Sequence, residues 1–192
     1  MKTLRALLVA VVLVAMSLPA VAGKMAKAKG EVSVEPGKAT VVFMRPGKLL
    51  GAAIGVPVWD VTTGDPAFIG IVDAGGKVAY SVPAGEHTFM TTVVGGDAGV
   101  RFQKAIVEAG KVYYFRAHIM DGIWGLDPVR GSDLDGKAFA GWDKKTTLLE
   151  NSPKTLAWAE DALPDAERKS GLRPSEIPMA LTLNVEDGRT LP

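Results

Sequence analysis

The sequence predicts a mainly β fold: an antiparallel β-sandwich of roughly seven to eight strands with a small helical or irregular C-terminal appendage. Three observations carry this expectation. Residues 39–119 are rich in β-branched and aromatic side chains, broken at short intervals by Gly, Pro and Asp. Those breaks are turn-sized, whereas a parallel α/β sheet needs crossovers of roughly a dozen residues or more. Helix signals come only after residue 132, where a segment with a good N-cap and an initial proline stands.

The chain begins with a targeting signal. Lys2 and Arg5 give a short positive region, and residues 6–16 run apolar without a break. That run suits a secretory signal core and falls short of the ~20 residues of a membrane-spanning helix. Ala20, Val21 and Ala22 form an A-x-A-type peptidase site, with cleavage expected before Gly23. Residues 1–22 therefore read as a signal peptide. A lipoprotein would carry cysteine directly after the cut. Gly23 stands there and the sequence has no cysteine, so no lipid anchor is expected. The same lack excludes disulfides, thiolate catalysis and zinc ribbons. Removing Lys2 and Arg5 turns the net charge of +1 slightly negative, and so even a balance argues against a nucleic-acid partner. An apolar fraction of 47% excludes a disordered chain. Residues 23–38, with Lys24, Lys27 and Lys29, read as a basic flexible leader.

The sandwich domain is expected over 39–131. Residues 39–45 form the first strand, stopped by Pro46-Gly47, and a glycine-punctuated loop follows. Residues 56–62 and 67–72 are the second and third strands. The Asp73-to-Gly76 stretch tolerates positive φ, as a hairpin turn requires, and leads into a fourth strand at 77–82. Pro83, Ala84 and Gly85 turn the chain again: proline presets φ and glycine relaxes the exit. His87, Phe89, Thr91 and Val93 then alternate on one face of a fifth strand, 86–94. Residues 100–107 and 111–119 read as a hairpin around Gly110, the natural left-handed residue. Pro83, Gly85, His87 and Gly110 are thus the turn residues that define the fold. Residues 122–129 add an edge strand, where Pro128 is tolerated.

The appendage spans 132–192. Residues 144–150 suggest a short helix. A clearer one starts at Ser152, a good N-cap, with Pro153 at the first helical position. Pro164 breaks or kinks it or starts a new turn, and Gly171 stops it.

The order of these signals resembles a bacterial domain family of unknown function, DUF2846. The matching residues are Val42-Phe43-Met44-Arg45-Pro46, Val58-Trp59-Asp60, Gly76 and Tyr80. They continue with Pro83-Ala84-Gly85-Glu86-His87-Thr88-Phe89, Glu108-Ala109-Gly110-Lys111-Val112-Tyr113-Tyr114-Phe115-Arg116 and Leu126-Asp127-Pro128-Val129. The resemblance implies a small exported or envelope β-sandwich, and it brings no catalytic residues.

Candidate chemistry is sparse. The two histidines, His87 and His118, fall ~20 Å apart in a simple meander at the strand rise, so no metal site is expected. His87 reads instead as a turn residue bonding the Pro83-to-Gly85 backbone. Asp133, Asp135 and Gly136 echo a calcium loop, but Lys137 and Lys144 occupy positions that need ligands. No cofactor motif occurs. Arg116, Trp124 and Trp142 could form a ligand platform by stacking and cation–π contact, or cement the appendage to the sheet. These readings converge on a periplasmic or secreted, non-catalytic protein that binds or scaffolds an envelope protein or glycan. The alternative is a small periplasmic hydrolase using paired carboxylates in the cleft between sandwich and appendage.

Overall fold

The computed structural model describes residues 25–47, 54–92, 99–120 and 123–191. Ala20, Ala22 and Gly23, where cleavage is expected, lie outside them. The fold is mainly β, with two sheets packed face to face. Sheet A contains β1 (Ala26–Lys27), β2 (Lys38–Arg45), β5 (Gly76–Pro83), β8 (Val112–Met120), β9 (Ile123–Pro128) and β10 (Thr147–Glu150), in the order β1-β10-β5-β2-β8-β9. Sheet B contains β3 (Val56–Asp60), β4 (Ala67–Val72), β6 (Gly85–Thr91), β7 (Arg101–Val107) and β11 (Thr182–Leu183), in the order β11-β7-β6-β3-β4.

Alternation along the strands builds the central core. Val41 and Phe43 of β2 meet Phe89 of β6 and Tyr113, Phe115 and Ala117 of β8 between the sheets. The Phe43 and Phe115 rings stack at 5.7 Å on neighbouring strands, and Phe89 presents its edge to Phe43 from the facing sheet at 5.1 Å. Each such ring contributes roughly 1.5–3 kcal/mol by leaving water. Two further clusters cover the outer faces. Val42, Met44 and Tyr114 of sheet A pack against Phe139 and Trp142 of helix α1 (Lys137–Lys145) and against Val32 and Val34. Trp59, Met90 and Phe102 of sheet B pack against Ala159 and Ala166 of helix α2 (Pro153–Ser170). The molecule is thus layered as α1, sheet A, sheet B and α2.

The sheets are mixed rather than wholly antiparallel. β2 runs parallel to β8, β10 to β5, and β11 to β7. The crossover that a parallel pair requires is supplied by the opposite sheet: after β2 the chain builds β3 and β4, returns for β5, leaves for β6 and β7, and only then lays down β8. Two turns expected to close hairpins, at Asp73–Gly76 and at Gly110, and the turn at Pro83–Gly85 are therefore corners between sheets. Gly75, Gly85 and Gly110 stand at these corners with φ of 75°, 135° and 85°. The left-handed glycine reverses the chain as expected, but the strands on either side pair with other partners.

The N-terminal segment is built into the fold from residue 25. β1 pairs antiparallel with β10, and Thr40 Oγ1 donates to the Ser33 carbonyl at 2.7 Å. The 144–150 stretch does not form a helix of its own: only Lys144 and Lys145 are helical, as the end of α1, and Thr147–Glu150 is a strand. α1 ends at Lys145, and Thr147 then donates to the Gly75 carbonyl at 2.9 Å to start β10 beside β5. α2 is continuous through Pro164, with Ser152 Oγ accepting from Thr155 N at 3.2 Å. The last segment straps the sandwich. It places β11 on the edge of sheet B, then pairs Arg189 with Val112 in sheet A. Arg130 holds it, donating through Nη1 to the Thr182 carbonyl at 2.7 Å and to Asp187 at 3.0 Å.

Candidate functional site

Register aligns one row of side chains across the outer face of sheet A: Leu148, Lys77, Met44, Arg116 and Asp127 on successive strands. α1 lies over this row and is fastened at two points. Lys77 Nζ donates to Asp143 Oδ1 at 2.6 Å, and the Arg116 guanidinium sits over the Trp142 ring, 4.8 Å from its centroid. Asp127 steadies the end of the row. Its Oδ2 lies 3.1 Å from Arg116 Nη2 and 3.0 Å from His118 Nδ1, although His118 Nδ1 is off the line of a hydrogen bond.

Beside α1 the face opens into a cavity of about 380 Å³. Its walls come from the N-terminal segment (Glu31, Val32), the sheet (Lys77, Tyr114, Leu148), α1 (Asp143) and the C-terminal strap (Arg189, Leu191). Tyr114, only 2% exposed, is gripped edge-on by Phe139 at 4.8 Å. The Arg189 guanidinium lies over both rings, 4.8 Å from Phe139 and 5.3 Å from Tyr114, and Nη2 donates to the Tyr114 hydroxyl at 3.4 Å. Burial pushes the Tyr114 phenol above its ordinary range and the Asp143 carboxylate adds to this, while Arg189 opposes both. The hydroxyl therefore keeps its proton and can donate it. The cavity combines two cations, two carboxylates, a phenol and an apolar wall, the composition of a polar-ligand site. A second cavity of about 380 Å³ is an apolar groove between Phe102 and Ile177.

Of the residues singled out in the sequence, Arg116 and Trp142 come together. Trp142 also packs with the outer cluster, so the pair secures α1 to the sheet. Trp124 lies in β9 opposite Ile119, and its side chain is outside the described residues. His87, Pro83 and Gly85 form one corner, in which His87 Nε2 donates to the Pro83 carbonyl at 2.9 Å. Gly110 forms another, donating to the Lys38 carbonyl at 2.8 Å. Strand-end carboxylates are engaged locally: Asp60 Oδ1 accepts from Thr62 N at 2.9 Å and Glu86 pairs with Lys104 at 2.7 Å. Among the described residues no group of three or more His, Cys, Asp or Glu is placed to hold a metal ion. None of their helices is long and apolar enough to cross a membrane.

Lys77, Asp143 and Arg189 carried no sequence signal of their own. Tyr114 stood there among the residues of the family resemblance, and register and the strap bring it beside Arg189. In comparisons with known proteins, no family model and no curated protein matches the chain.

Proposed function

We propose that this chain is an exported, non-catalytic binding protein of the bacterial envelope, a DUF2846-like sandwich that reaches the periplasm or the medium after cleavage before Gly23. Its ligand is a small polar molecule of the envelope, a glycan fragment, held in the cavity over the outer face of sheet A. The observation that carries this reading is Arg189, whose guanidinium is held over two aromatic rings at the cavity wall rather than released to solvent. A cation fixed in this way is arranged before any ligand arrives, which lowers the entropy cost of binding.

The reading is tested with the mature chain and soluble peptidoglycan fragments. A saturable rise in Tm, with the fragments recovered unchanged by mass spectrometry, is the expected result. Cleaved fragments would turn the assignment to the hydrolase, and a flat Tm across the fragments would overturn ligand binding. Cell fractionation checks delivery: the processed chain is expected outside the cytoplasm, beginning at Gly23.

A further inference from the structure

We propose that the cavity reads a carboxylate, with Arg189 and Tyr114 together binding the acid group of a carboxylate-bearing saccharide. This rests on the binding reading above and adds the chemical group that is recognised.

The first support is the state of Arg189. A guanidinium has five N–H donors in one plane, and its side chain has one contact with an acceptor among the described residues, the 3.4 Å bond to the Tyr114 hydroxyl. No carboxylate of the described residues pairs with it. Asp143, on the same cavity, is held 2.6 Å from Lys77. Its Cζ stands over the rings of Phe139 and Tyr114, and the bond to the Tyr114 hydroxyl uses one of its N–H groups, so a donor edge remains for a partner. A carboxylate matches that edge with two parallel hydrogen bonds.

The second support is Tyr114. Its oxygen accepts from Arg189, so its own proton is free to point elsewhere, toward an oxygen seated against Arg189. The third is the remainder of the wall. Glu31 and Asp143 offer acceptors. They suit hydroxyl and amide donors and repel a dianion such as phosphate. Val32, Leu148 and Leu191 supply an apolar side. One acid group, several donors and a small apolar face together describe a sugar acid.

The experiment is isothermal titration of the mature chain with N-acetylmuramic acid and with N-acetylglucosamine, which lacks the lactyl carboxylate. The acid is expected to bind at least about tenfold tighter, the ratio that hydrogen bonds to a charged group supply. Arg189→Met and Tyr114→Phe are each expected to bring that ratio toward one, with circular dichroism checking that each variant folds. Tyr114→Phe removes a single oxygen and serves if the arginine variant fails that check. Equal affinity for the two sugars overturns the carboxylate assignment and leaves the binding reading standing. Competition by inorganic phosphate stronger than by acetate also overturns it. Absence of binding by both sugars and by the peptidoglycan fragments overturns both.

Discussion

At the scale of single residues, two glycines separate backbone strain from steric demand. Gly110 has φ of 85° and nothing within 4 Å of an added Cβ. Gly110→Ala therefore costs only the left-handed conformation, about 1 kcal/mol. At Gly188 an added Cβ would stand 2.4 Å from Tyr113 Cζ, and Tyr113 is buried with its hydroxyl accepting from Glu108 N at 2.9 Å. Gly188→Ala is expected to lower the urea midpoint more than Gly110→Ala, and the reverse order would contradict this packing. Asp165 gives a pH prediction. Burial alone would raise its carboxyl, but hydrogen bonds from Lys169 and Arg168, and their charges, outweigh burial and hold it below the free value of 3.8. A depressed carboxyl contributes stability above its unfolded value and loses it as the pH falls through the lower folded value. Lys169 is fully buried and lies 2.6 Å from Asp165. Asp165→Asn should thus destabilise the protein at pH 7, with the gap from wild type closing below about pH 4. Urea titrations at pH 7 and pH 3 check the sign.

At the scale of elements, α2 offers paired tests. Ser152→Ala removes the acceptor of Thr155 N and should cost about 1 kcal/mol. Pro164 is exposed within a continuous helix, where proline cannot supply an intrahelical donor. Pro164→Ala should raise Tm, by an amount corresponding to roughly 1–3 kcal/mol. The elements also show what a sequence can convey. β2 to β9 were legible because alternation and turn residues act locally, and α2 was legible because Ser152-Pro153 marks its start. α1 was not: its N-cap is Gly136 with no side-chain cap bond, and Phe139 and Trp142 alone mark its apolar face. β10 was mistaken for helix because Leu148-Leu149-Glu150 suits a helix, and its strand form comes from pairing with β5. Hairpin and corner were indistinguishable at Gly75, Gly85 and Gly110, because both want a residue at positive φ.

At the scale of the molecule, the C-terminal strap joins both sheets and forms part of the cavity wall. Arg130 donates to four acceptors on it: Thr182, Asp187, Ala180 and Met179. Arg130→Met is expected to release amide protons of β11 and of Asn184 before those of β6, read by hydrogen exchange. Retained protection in this variant would show that β11 holds the strap unaided. The candidate site was hidden for the same global reason. Its walls come from the N-terminal segment, two central strands, α1, β10 and the tail, and no local pattern links Glu31 to Arg189. The pairing at the centre of sheet A carries a kinetic consequence. Val41 lies beside Tyr113, so the middle of the sheet waits for the whole intervening chain, and loop-closure entropy must be overcome first. Such a chain folds late. A chain held open this long exposes its unpaired strand edges before the sheet closes, so the same strand order that fixes the sandwich also sets how long the newborn chain is vulnerable to proteases and to other copies of itself.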